Sequence, residues 1–433
     1  MNAQSGPRTN RIVSITPLPL EADSRTLRIA TSFGRAGYAS TVIEGGCSAQ
    51  RDWGSGIELV SLGAPAAPGG VTGKPSRRRL TGALRAGRLG VPGGLLWLGA
   101  LALRHALRYR LAPRGRIPPA DLYYLHSFEY AEAVLPLAGA AGAPIVYDAH
   151  DFYSGIEPAD ARPCMDRRFT MPFLEKLERR LVDVADAVVT VSPGVADLFE
   201  NAFGRRPQVI RNCHDDRLDI EPPSTLKQRL GLGSEDVLMV VVGNWKPGMA
   251  VEALVNSLSL LPRHVHLAFL GRGYEAVQPW AASVAGERVH MGLVVDPRQV
   301  VPTIRDADIG LVAYEPRSAN YTHALPNGFF QVVAAGLPLV YPQLPQIAAA
   351  VAGRGTGIGL DRIEPGCVAE AVLRLLDPQA RFPARQAAAS LAQELRWDME
   401  ERPLIDLVRT LIDSRSGPLQ LSPATADDSA VTP

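Results

Sequence analysis

Short runs of aliphatic and β-branched residues alternate with segments of helical period along most of this chain, and the alternation stops once and then restarts. No other feature constrains the fold as strongly. Strands that alternate with helices are joined by crossovers, and crossovers build parallel sheets with helices on their faces. In the first half, strands are predicted at Ile12-Val-Ser-Ile, Ala39-Ser-Thr-Val-Ile, Leu122-Tyr-Tyr-Leu, Pro144-Ile-Val-Tyr, Ala187-Val-Val-Thr-Val and Gln208-Val-Ile. A helix from about Thr26 to Arg35 separates the first two, and another runs from about Pro172 to Val184 with its charges on a solvated face.

The break comes after Ile210-Arg-Asn, where Asp215 to Pro223 is charged and contains proline. The pattern resumes at Val237-Leu-Met-Val-Val-Val-Gly and continues through Val265-His-Leu-Ala-Phe-Leu-Gly, Arg288-Val-His-Met, Ile309-Gly-Leu-Val and Leu339-Val-Tyr. A chain of 433 residues is too long for one core. The expected fold is therefore α/β, with two Rossmann-like domains facing a central cleft. Their expected bounds are 1–213 for the first domain, 214–235 for a linker and 236–382 for the second. A helical stretch over 383–413 follows, and then a Ser-, Pro- and Asp-rich tail, 414–433, expected to be disordered. In open α/β sheets ligands bind beyond the strand C-terminal ends, so the cleft is the expected site.

Net charge is +1, which excludes a chain that binds nucleic acid through its overall charge. The four cysteines, Cys47, Cys164, Cys213 and Cys367, have no zinc or disulfide spacing and fit a reducing compartment. The polar N-terminus lacks the pattern of a signal peptide, and no run reaches the roughly 18 apolar residues of a spanning helix. A cytoplasmic protein is expected.

Three segments carry chemistry. Ile145-Val-Tyr-Asp-Ala-His-Asp ends a strand with Asp148 and His150 near the cleft. Val240-Val-Val-Gly-Asn-Trp-Lys-Pro-Gly ends another, where Gly243 lets a backbone approach a ligand and Lys246 offers charge; Arg272, in Gly271-Arg-Gly, follows the next strand. The third is Asn320-Tyr-Thr-His-Ala-Leu-Pro-Asn-Gly-Phe-Phe-Gln-Val-Val-Ala-Ala-Gly-Leu-Pro-Leu-Val. It reads as a loop feeding a helix N-terminus: Pro326 stiffens the entry, Asn327 is placed to cap, and free backbone N–H groups suit a diphosphate.

The third segment resembles the donor-site signature of family 4 of the retaining nucleotide-sugar glycosyltransferases, which have the GT-B architecture. The Asp-x-His segment, Val189-Thr-Val-Ser-Pro-Gly, Val209-Ile-Arg-Asn and Arg396-Trp-Asp are similar to other segments of that family. The likeness runs from Ile12 to about Ile412 and is weakest between Ser48 and Pro119. It implies a nucleotide-sugar donor bound by Gly243, Lys246, Arg272, Pro326, Asn327 and Gln331, with His150, Asp148 and His323 on the catalytic side. It also implies transfer with retention to a glycan or lipid-linked acceptor, in cell-surface polysaccharide or glycoconjugate synthesis. The family's two glutamates, eight positions apart, are His323 and Gln331 here, and its lysine is Gly328. Gln331 keeps hydrogen bonds to a ribose diol without charge, and a protonated His323 suits phosphate. No Asp-x-Asp motif is read as holding a metal on the diphosphate, so metal independence and no cofactor are expected. Two alternatives stand: a nucleotide-sugar epimerase of the same fold, and an inactive glycosyltransferase-like subunit.

No acidic residue lies between Glu58 and Asp121, a stretch that holds Arg77, Arg78, Arg79 and eight further Lys and Arg residues around an uncharged run, Leu89 to Leu103, with Trp97 inside it. A basic segment with an apolar helix suits an anionic membrane surface, each cation adding about 1 kcal/mol, or else a solvated basic face over an ordinary buried helix. A peripheral position on the inner face of the cell membrane is the matching expectation.

Overall fold

The structure, a computed structural model, describes residues 9–49, 52–53, 56–63, 91–111, 113, 115–155 and 167–416. The first sheet has seven strands: β1 (Arg11–Thr16), β2 (Ala39–Glu44), β3 (Glu58–Ser61), β4 (Leu122–Leu125), β5 (Ile145–Ala149), β6 (Ala187–Thr190) and β7 (Gln208–Val209). The second has six: β8 (Val237–Val242), β9 (Val265–Leu270), β10 (Val289–Leu293), β11 (Ile309–Leu311), β12 (Leu339–Pro342) and β13 (Gly357–Leu360). Their orders are β3-β2-β1-β4-β5-β6-β7 and β10-β9-β8-β11-β12-β13, and the pairings are parallel. Both sheets are thus doubly wound, as expected, and reverse their strand order beside β1 and beside β8, where a crevice opens.

The inner strands are covered on both faces, which is why they read as unbroken apolar runs. All six residues of β8 are buried. The edge strands β3 and β13 escape sequence reading. They are short and polar or glycine-rich, and their residues are mostly half-buried.

The helix Arg167–Val184 starts before the expected Pro172, which lies inside it. The expected stretch 383–413 is two helices, Pro378–Glu394 and Trp397–Ser416, broken at Leu395. Only the second joins the first sheet: Trp397, Leu404, Ile405, Val408 and Ile412 share a core cluster with Ile12, Phe33, Tyr124 and Val146. The Trp397 indole N–H donates to Ser32 Oγ at 2.8 Å, satisfying the polar edge of a buried ring. This helix also runs through the first three residues of the expected disordered tail. Residues 417–433, Cys164 and Arg77, Arg78 and Arg79 lie outside the described residues, as does the Trp97 side chain.

Candidate active site

Strand ends build the site. After β1 the chain turns through Pro17-Leu-Pro into a 3-10 turn, Leu20–Ala22, and enters the helix Ser24–Arg35. Asp23 caps that helix by accepting from Thr26 N–H at 3.0 Å. The turn brings Glu21 and Ser24 to the cleft. After β8 the chain turns at Gly243, whose φ of +140° excludes most side chains.

Glu21, Ala22 and Ser24 of the first sheet's side and Gly243, Arg272, Val294, Val295, Asn327 and Gln331 of the second line one cavity of about 170 Å³. Four sequence-predicted donor residues, Gly243, Arg272, Asn327 and Gln331, therefore converge. Pro326, not Asn327, is the N-cap of the helix Asn327–Ala334, so the Asn327 side chain does not cap. Instead its amide donates to Ser24 Oγ across the cleft at 3.4 Å. Arg272 Nη2 lies 3.8 Å from Glu21 Oε1, a second link across it.

Lys246 is not on this cavity. Its Nζ sits 5.2 Å from the ring centroids of both Tyr314 and Tyr321. Burial disfavours its charge, but Tyr314, Asp151 and Tyr321 outweigh that and raise its pKa. Gly328 stands where the family has lysine, and a Cβ there would collide with the Val242 carbonyl oxygen. The backbone has taken the space a side chain would use.

Asp148 is fully buried on β5. Arg25 grips it twice, Nε to Oδ2 at 2.8 Å and Nη2 to Oδ1 at 2.9 Å, and gives a third bond to the Ile210 carbonyl. Burial alone would raise the Asp148 pKa; the Arg25 charge, then His126, hold it well below the carboxylate range. Its carboxylate faces inward, tying the helix Ser24–Arg35 to β5 and the chain after β7. His150, one residue beyond β5, is half-buried, and its Nδ1 has no hydrogen-bond partner among the described residues. Its charge, with that of His126, lowers the Asp23 pKa against the burial that would raise it. His323 packs on Gly194, and its carbonyl accepts from Ser192 Oγ at 2.7 Å. It sits in the contact between the two sheets' loops rather than on the cavity.

Sequence reasoning missed His126, which follows β4 as His150 follows β5. It is 1% exposed, with Nδ1 3.4 Å from Asp148 Oδ2. The signal was there: a histidine directly after an apolar strand, with no family segment to single it out. The Asp-x-Asp of the described residues, Asp306-Ala-Asp308, lies before β11. Asp308 Oδ2 accepts from Leu238 N–H and pairs with Lys227 there, far from the strand C-terminal ends.

Residues 22–213 match the glycosyl transferase 4-like domain. No curated protein matches the sequence. Among solved structures, sucrose-phosphate synthase from Thermosynechococcus elongatus aligns with a TM-score of 0.66 at 14% identity, over 94% of this chain and 100% of that one. A glycosyltransferase from Rickettsia africae aligns with a TM-score of 0.63 at 11% identity, over 93% and 99%. HepE from Anabaena, in complex with UDP-glucose, aligns with a TM-score of 0.60 at 17% identity, over 93% and 100%. At these identities the likeness is one of fold. Residues 22–213 are thus similar to a glycosyl transferase 4-like domain, and the chain as a whole has the GT-B fold of two facing Rossmann-like domains.

Proposed function

We propose that this protein is a glycosyltransferase that moves a sugar, with retention and without a metal, from a nucleoside-diphosphate sugar to a glycan or lipid-linked acceptor. One observation carries the reading: Gly243, Arg272, Asn327 and Gln331 converge on a cavity that Glu21 and Ser24 close from the other side. The donor lies on the 236–382 side, its diphosphate over the helix N-terminus at Asn327 and beside Arg272, its ribose on Gln331. The acceptor enters from the 1–213 side, past His150. Asp148 acts through Arg25 as a fixed anchor, and His323 helps hold the two sides together. A role in cell-surface glycan synthesis and a cytoplasmic site belong to the same proposal.

The test is a thermal-shift panel of nucleotide-sugars, with UDP-glucose, the ligand of HepE, tried first. A true donor at a hundredfold excess over its dissociation constant stabilises by about 2.7 kcal/mol. Gln331→Ala is expected to weaken that donor roughly 5- to 150-fold by calorimetry, the loss of about 1–3 kcal/mol of hydrogen bonding. Unchanged affinity removes Gln331 from the site.

A second reading has its own support. His323 is turned into the domain contact and Gly328 is sealed against Val242, so a subunit that binds donor without transferring it is consistent with the same cavity. Donor binding with neither transfer nor hydrolysis would select it. An epimerase needs a carboxylate at the sugar. Glu21 is the acidic residue lining the cavity, and it faces Arg272.

Membrane attachment is the last part of the proposal. No helix of the described residues is long and apolar enough to cross a bilayer. The helix Val91–His105 and the π-helical turn Ala106–Leu111 after it expose Leu96, Leu103, Leu107 and Leu111 at 76%, 61%, 53% and 43%, while His105 packs inward on Phe173 and Tyr109. Those leucines repeat at helical spacing beside Arg104, Arg108 and Arg110, an apolar row edged by cations. Flotation with anionic vesicles is expected at low salt and release near 1 M, where the Debye length falls to about 3 Å. Leu103→Ser with Leu107→Ser should abolish flotation and change stability by less than about 1 kcal/mol, because both residues are already more than half exposed. A wild type that never floats ends the membrane reading.

A further inference from the structure

Asn320 joins the two sides of the cleft at the loop that carries His150. It lies in the helix Ala319–His323, on the second sheet's side, and is 3% exposed. Its Oδ1 accepts from Phe152 N–H at 2.8 Å, and its Nδ2 donates to Asp151 Oδ1 at 3.0 Å. One amide therefore satisfies a backbone donor and a carboxylate on adjacent residues, directly after His150. Such a two-point contact fixes both position and rotation of the loop, which a single bond does not.

The elements behind Asn320 lead to the donor cavity. Tyr321 Oη donates to the Pro247 carbonyl at 2.9 Å, tying the helix to the loop of Lys246. Lys246 Nζ sits beside the edge-to-face pair of Tyr314 and Tyr321, 5.2 Å from each ring centroid, and favours the ionised form of Asp151. The same chain continues through Pro326 into the helix Asn327–Ala334. One end of this assembly meets the donor and the other holds the loop after β5.

We infer that Asn320 is a positioning residue: through Phe152 N–H and Asp151 it clasps the His150 loop of the first domain to the donor domain and so aims His150 at the reacting sugar. Asn320 heads the third sequence segment without a role of its own there, and its effect on the reaction passes through His150. The kinetic part of this role rests on the transferase reading; the clasp itself does not.

Asn320→Asp sets a carboxylate against Asp151 and breaks the Nδ2 bond. Asp151→Asn in the same chain restores it with the roles reversed, because the amide introduced at position 151 then donates to the carboxylate introduced at position 320, and Phe152 N–H still has an acceptor. Hydrogen exchange of a peptide spanning residues 150–155 is read on the ligand-free protein. It is expected to speed up about tenfold or more in Asn320→Asp and to return in the swapped double variant. In turnover, kcat should fall about tenfold or more while the donor dissociation constant stays within about threefold, and the swap should recover kcat. Exchange that does not change overturns the clasp. Faster exchange with an unaltered kcat, or a kcat loss that the swap leaves in place, overturns the positioning role. A wild type that turns over no donor sinks the transferase reading, while the exchange measurement still decides the clasp.

Discussion

Asp148→Asn should lower the melting temperature of the first domain by roughly 6–20 °C, since breaking a buried ion pair costs about 3–5 kcal/mol and a domain of this size loses about 2–4 °C per kcal/mol. The cause is the partner left behind. Arg25 is 3% exposed and gives two of its bonds to Asp148. Without the carboxylate a buried guanidinium remains against an amide that cannot compensate its charge. Replacing both residues together, Arg25→Met with Asp148→Leu, should recover most of the loss, because an apolar pair has no charge to strand. Differential scanning calorimetry that finds Asp148→Asn as stable as the wild type would sink this account of the anchor.

The same pair sets a pH dependence whose sign is fixed. Asp148 has a folded pKa below its ordinary value of 3.8, so its contribution to stability is complete above that value and drains away as pH falls below it. Asp23 and Asp215 are lowered too, each against the burial that would raise it, Asp215 by Arg217 and Arg35. Acid unfolding of the first domain should therefore set in below about pH 4, and Asp148→Asn should flatten that limb as well as lower it.

The architecture was readable because inner strands of a parallel sheet are apolar on both faces. Leu122–Leu125 and Val237–Val242 announce themselves by composition alone. The edge strands β3 and β13 carry Glu58 or alternate glycine with apolar residues, so nothing in their own sequence separates them from loops. The division of the last helical stretch was hidden for another reason: Leu395-Arg-Trp breaks the helix by docking onto the chain after β7, where Trp397 N–H donates to the His214 carbonyl at 3.0 Å. Such a contact is long-range and leaves no local mark.

The site was legible to the extent that local sequence decides it. Gly243 and Gln331 are set by strand ends and a helix start, and they reach the cavity. Lys246 was read by its charge, but its position follows from Tyr314 and Tyr321, more than sixty residues away in sequence. The roles of Glu21, Ser24 and Asn320 were invisible because each appears only once the two domains face each other. Arg25 was hidden likewise: it looks like one more polar helix residue until β5 places Asp148 against it.

Against that background His150→Ala is the sharpest test of chemistry as opposed to structure. His150 Nδ1 makes no hydrogen bond among the described residues, and the ring is half-buried, so truncation removes no internal bond and little packing. Stability should change by less than about 1 kcal/mol. Turnover should not be spared. Under the transferase reading proposed above, a side chain at the C-terminal end of β5, in a loop held by Asn320, donates to a hydroxyl or leaving oxygen of the transferred sugar as charge develops. Removing one such donor lowers kcat about 100- to 1,000-fold. If that contact tightens only in the transition state, kcat and kcat/KM fall together and the donor dissociation constant is unmoved. His150→Gln, which keeps a donor at similar reach, should recover part of the rate. Turnover in His150→Ala within about threefold of wild type would take His150 out of the reaction and leave its unpartnered nitrogen without a role.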